Sequence, residues 1–79
     1  MNNIRIIKNT INQKLEKKDR NGNNYLILKL DNEETIFVFA GKVKEEKWDW
    51  LKEGQEYSFT VEEGNNGSNI LADYEIEVK

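Results

Sequence analysis

Hydrophobic and polar residues alternate along most of this chain. A period of two predicts strands, because successive side chains on an extended backbone point to opposite faces. In the first stretch Ile7, Ile11 and Leu15 share one parity, and Lys8, Asn12 and Glu16 take the other. Ile4 and Ile6 are out of phase with Ile7, so one long strand needs a bulge near Ile6–Lys8 to keep a single face inward. Lys17 to Asn24 reads as a turn, in which Asn21-Gly22 suits a type I′ hairpin with positive φ at both central residues. Strand two, from Tyr25 to Leu30, puts Leu26, Leu28 and Leu30 on one face and Tyr25, Ile27 and Lys29 on the other. After a turn at Asp31–Glu34, strand three runs from Thr35 to Ala40, with Ile36, Val38 and Ala40 opposed to Phe37 and Phe39.

Alternation stops between Lys42 and Glu53, where Val43, Trp50 and Leu51 are spaced for one face of a short helix and Gly54 suits a left-handed position after it. That spacing predicts Trp50 in the core. Strand four, Gln55 to Glu62, turns Tyr57, Phe59 and Val61 inward. Glu63 to Ser68 is a loop by composition, and the last strand sets Ile70, Ala72, Tyr74, Ile76 and Val78 against Asp73, Glu75 and Glu77. With no linker or repeat, residues 1–79 form a single domain. The order of three strands, a short helix and two strands predicts an all-β, five-stranded antiparallel barrel of the OB (oligonucleotide/oligosaccharide-binding) type. An SH3-like barrel is the rival, but it favours a short turn where this chain has a dozen helix-compatible residues.

The chain has no cysteine and no histidine. Disulfides and thiolate metal sites are therefore excluded, as is the commonest general base. The serines and threonines lack a histidine to activate them, and the carboxylate pairs are adjacent in sequence, so they point apart. No enzyme activity, metal or cofactor is expected. The apolar runs are too short for a signal peptide or a membrane span, which leads to the expectation of a cytoplasmic protein with no membrane partner. Net charge is −3, but residues 1–30 carry +5 and residues 31–79 carry −8. Such asymmetry can place a basic face on an acidic protein.

Residues 35–67 resemble a known family. Leu51-Lys52-Glu53-Gly54-Gln55-Glu56-Tyr57-Ser58-Phe59-Thr60-Val61 and the loop to Gly67 look like the fourth strand and following loop of cold-shock domains, and Ile36-Phe37-Val38-Phe39 is similar to that family's second RNA-binding motif. Trp48 sits where the family usually has an exposed Phe. The family's first motif is replaced by Asn24-Tyr25-Leu26-Ile27-Leu28-Lys29, and Phe39 stands in for a His. The chain resembles small replication-protein-A-like and phage single-strand-binding OB proteins about as well. These resemblances imply the OB fold.

The expected interface is an aromatic and basic face on strands two and three. Tyr25, Ile27, Lys29, Phe37 and Phe39 form it, Trp48 flanks it, and Lys14, Lys17, Lys18 and Arg20 come from the first hairpin. The parity of strand three decides whether this face exists, since Ile36, Val38 and Ala40 also qualify for the inside. Leu26, Leu28 and Leu30 claim the inside on strand two, which directs Phe37 and Phe39 outward. The expectation is a monomer that binds single-stranded DNA or RNA without catalysis. The alternatives are a protein-interaction module, such as a subunit of a replication or phage complex, or an acidic inhibitor that mimics nucleic acid.

Overall fold

The computed structural model describes residues 4–64 and 67–77. It contains β1 (Ile4–Lys18), β2 (Asn24–Leu30), β3 (Thr35–Phe39), a 3₁₀ helix η1 (Glu45–Trp50), β4 (Glu56–Glu63) and β5 (Asn69–Ile76). The strands close into a barrel in the order β1-β2-β3-β5-β4. All neighbours are antiparallel except β3 and β5, which run parallel through Ile36–Asn69 and Phe37–Ile70. The sheet is therefore mixed, not wholly antiparallel: the connection through η1 and β4 returns the chain so that β5 lies along β3 in the same direction.

One strand supplies two sides of the barrel. Ile4 to Thr10 pairs with β4, and Ile11 to Lys18 pairs with β2. The bend between these halves is a register shift between Ile11 and Gln13, so the bulge sits at Asn12 and not at Ile6–Lys8. Pairing with β4 is unbroken across Ile6–Lys8, and Ile4 and Ile6 face outward beside Glu62 and Thr60. Ile7 packs on the core opposite Phe59.

The first hairpin also differs from its sequence reading. Only Gly22 takes positive φ, at 83°, so Asn21-Gly22 is not a type I′ pair. Instead Gly22 N–H donates to Asp19 O at 3.1 Å and Asp19 N–H donates to Asn23 O at 2.9 Å, which closes a three-residue loop with its glycine in the left-handed position. The Asp19 carboxylate accepts the N–H groups of Asn21 and Asn23, both at 2.9 Å. These bonds, that from Asn23 foremost, hold the Asp19 carboxyl below the usual aspartate value.

The core is built from Leu26, Leu28, Leu30, Ile36, Val38, Tyr57, Phe59 and Val61 on the strands, as the alternation predicts, joined by Ile11, Leu71, Val43, Trp48 and Leu51. Leu71 enters because β5 carries an extra residue at Ala72: Val61 faces Leu71 while Thr60 faces Asp73. That slip reverses the predicted parity in the first half of β5. Leu71 is buried, whereas Ile70 and Ala72 are only partly covered. Tyr74 still packs on the core, Ile76 is exposed, and Val78 lies outside the described residues.

The two tryptophans exchange their expected places. Trp48 is 3% exposed and Trp50 is 64% exposed. A 3₁₀ helix has three residues per turn, so positions i and i+3 eclipse. This brings Trp48 and Leu51 to one face and turns Trp50 away. An α-helical period would have aligned Trp50 with Val43. The Trp48 indole N–H donates to Val43 O at 2.8 Å, so the ring caps the barrel with its polar atom satisfied. The Tyr57 hydroxyl accepts Lys52 N–H at 2.8 Å and donates to Trp50 O, which ties the end of η1 to β4.

Candidate nucleic-acid interface

Burial of the leucines fixes the outer face of β1, β2 and β3. Tyr25 pairs with Phe39, Ile27 with Phe37, and Lys29 with Thr35. Across the other edge of β2, Lys17 pairs with Tyr25, Leu15 with Ile27, and Gln13 with Lys29. Directly opposed residues share a face. The outward surface is thus a three-by-three patch of Gln13, Leu15, Lys17, Tyr25, Ile27, Lys29, Thr35, Phe37 and Phe39, without a carboxylate. Ile70 extends it from β5 beside Phe37.

Three aromatic rings form a strip on this patch. Tyr25 and Phe39 lie 5.7 Å apart between centroids with a 32° tilt, and Phe37 and Phe39 are near parallel, 13° apart at 6.4 Å. Phe39 is 38% exposed, and Tyr25 and Phe37 are half-buried. The parity of β3 therefore leaves Ile36 and Val38 inside and the Phe pair outside. A ring held against its neighbours loses little side-chain entropy when a flat ligand stacks on it.

The hairpin and β2 supply the cations. Lys17, Lys18, Arg20 and Lys29 are all exposed and, among the described residues, none forms an ion pair or a side-chain hydrogen bond. Lys17 and Lys29 lie on the patch itself, Lys17 beside Tyr25 on β1 and Lys29 at the far end of β2 between Gln13 and Thr35. Lys18 pairs with Asn24 and points to the other side of the ribbon, and Arg20 lies in the hairpin loop.

Besides Lys18, two further expected members, Lys14 and Trp48, do not belong to this surface. Lys14 faces the other side of β1 from Leu15. Its ammonium donates to Trp48 O at 2.7 Å and its backbone N–H donates to the Glu53 carboxylate at 2.8 Å. The bulge at Asn12 sets that parity, and Lys14 serves to fasten η1. Trp48 is a core residue, and a buried ring has no face to offer a base. Leu15, read from sequence as a core residue, is instead part of the patch. The same bulge is the reason, and no residue in the sequence marks it.

The outward face of β4 and β5 is acidic. Outward positions on β4 and β5 include Glu56, Glu62, Asp73 and Glu75, with Ser58 and Thr60 between them. Two salt bridges partly offset this charge, Lys8–Glu77 at 3.7 Å and Lys42–Glu62 at 3.0 Å. The outward carboxylates of β4 and β5 thus lie on a different part of the barrel wall from the patch. Among the described residues, no three acidic side chains come together as a metal site.

No family model and no curated protein matches this chain. Among solved structures, the crystal structure of the mitochondrial single-stranded DNA-binding protein Rim1 of S. cerevisiae superposes with a TM-score of 0.77 at 16% identity, covering 98% of this chain and 96% of that one. Likeness of backbone with so little likeness of sequence speaks to architecture alone, and the closed five-stranded barrel with its helical turn between β3 and β4 is an OB fold.

Proposed function

We propose that this protein binds single-stranded nucleic acid, DNA or RNA, on the outer face of β1, β2 and β3, without catalysing a reaction. The carrying observation is the carboxylate-free patch on an acidic chain, with the Tyr25–Phe39–Phe37 strip and the cations Lys17 and Lys29 on one face. Two physical terms act there. Aromatic rings stack on bases irrespective of sequence, and unpaired cations release counterions from phosphates. OB folds commonly bind oligonucleotides on strands two and three and the adjoining loops, and the similar yeast barrel is a single-stranded DNA-binding protein. A nucleic-acid mimic would instead need a continuous acidic surface, whereas here Lys8 and Lys42 interrupt it.

The test is a titration of labelled oligothymidylate and oligouridylate at increasing salt. Each neutralised phosphate on a single strand contributes about −0.7 to the log–log slope, so Lys17, Arg20 and Lys29 together give a slope of about −2. Absence of binding at low salt, or binding indifferent to salt, contradicts the proposal.

A further inference from the structure

On the other flank of η1 from Phe39 lies a second, chemically different surface. Trp50, Tyr74 and Ile76 floor an open groove of about 280 Å³, and Lys47, Asp73 and Glu75 complete its lining. Trp50 is 64% exposed and Ile76 48% exposed. Among the described residues the Trp50 indole N–H has no hydrogen-bond acceptor. Water-exposed apolar side chains gathered in one concavity mark an interaction site more often than a solvated surface.

The groove is preformed. The Tyr74 hydroxyl donates to Lys47 O, and burial raises that hydroxyl above the usual tyrosine value, so it remains a donor through neutral pH. Tyr74 also packs edge-on against the buried Tyr57 ring at 5.7 Å. η1 and β5 are thereby held together with Trp50 projecting between them.

Charge selects the occupant. Asp73 and Glu75 point outward from β5 opposite Thr60 and Ser58, and the exposed Asp49 precedes Trp50. The cation next in register, Lys8, is paired with Glu77, so the carboxylates outnumber Lys47 around the groove. Carboxylates repel phosphates, so an exposed indole here does not read as a second nucleic-acid platform. They attract ammonium and guanidinium groups, which also favour the face of an indole. We infer that this groove docks a basic segment of a partner protein: an apolar side chain seats between Trp50 and Ile76, and flanking Lys or Arg residues meet Asp73, Glu75 and the indole face. Its lining shares no residue with the aromatic patch, so the two surfaces can be occupied together.

The experiment follows the two indole N–H resonances of the ¹⁵N-labelled full chain. Trp48 is hydrogen-bonded inside the barrel and serves as the fixed reference. A short Lys/Arg-rich peptide with a central Leu is added, and a Glu/Asp-rich peptide of the same pattern serves as control. The expected result is a saturable shift of the Trp50 indole and of the amides from Asp73 to Ile76 with the basic peptide alone, weakening as salt rises. Trp50→Ala should retain a dispersed, folded spectrum and lose at least about tenfold in affinity, as buried tryptophan anchors do. Asp73→Asn with Glu75→Gln should weaken binding several-fold. No shift with the basic peptide overturns the inference. So does an equal response to the acidic peptide or to an oligonucleotide, and so does a concentration-dependent Trp50 shift without peptide, which assigns the groove to a second copy of this chain.

Discussion

Replacing Phe37 and Phe39 together by alanine is expected to weaken oligonucleotide binding by roughly 30- to 1,000-fold while the barrel stays folded. Each base–aromatic stack is worth about 1–3 kcal/mol by alanine substitution, and about 1.4 kcal/mol is a factor of ten. The two rings touch each other and Phe39 also touches Tyr25, so their effects should not add: either single change exposes the remaining ring to rearrangement. Stability should fall less than affinity, because both rings lie outside the buried cluster lined by Leu26, Leu28, Ile36 and Val38. Binding isotherms and thermal melts on the same preparations separate the two effects. Unfolding of the double variant with affinity intact in the residual folded fraction would assign the rings to the core.

Trp48→Ala should be the most damaging substitution to the fold, at about 3–5 kcal/mol, in the range seen when a large buried aromatic is truncated. A domain of this size holds roughly 4–12 kcal/mol in total, so much of that margin would vanish. The indole closes the barrel against Val43 and Leu51 and satisfies Val43 O, and its own carbonyl accepts from Lys14. Its loss opens a cavity and loosens η1 together. Trp50→Ala, two residues on, should change stability by no more than about 0.5 kcal/mol, as exposed substitutions do. Denaturant melts of the two variants check this order, and the reverse order would mean that η1 follows an α-helical phase.

Much of the architecture was legible because alternation is a property of the backbone. On β2, β3 and β4 the buried residues are those the period of two selects, and Leu26, Leu28 and Leu30 sufficed to direct Phe37 and Phe39 outward. What the pattern hid were the places where the period breaks without a chemical marker. The extra residue at Asn12 reversed Leu15 and Lys14, and the extra residue at Ala72 brought in Leu71. Neither position carries the glycine that often marks a bulge. The tryptophans were misplaced for a related reason: a six-residue segment holds too few turns to distinguish three residues per turn from 3.6. The parallel β3–β5 contact rests on two residue pairs and follows from barrel closure, which no local pattern encodes.

The cations show the same division. Lys29 follows the strand parity of Tyr25 and Ile27, whereas Lys14 and Lys17 both come from the first hairpin by position in sequence, and it is the bulge at Asn12 that turns Lys17 outward and Lys14 away from the patch. Charge separation was visible as two unequal parts of the chain. The barrel preserves it only in part: the second half of β1 lies with β2, while the first half, with Arg5 and Lys8, runs beside β4 and its carboxylates.

Which side of the barrel meets the ligand is the point on which the functional reading stands. Mapping amide shifts of the labelled protein against a short mixed-sequence single strand measures this directly. The prediction is that shifts concentrate on Lys17, on Tyr25 to Lys29 and on Thr35 to Phe39, with Glu56 to Glu62 unmoved. A footprint centred on β4 and the first half of β1, or a spectrum unchanged at saturating oligonucleotide, would contradict it.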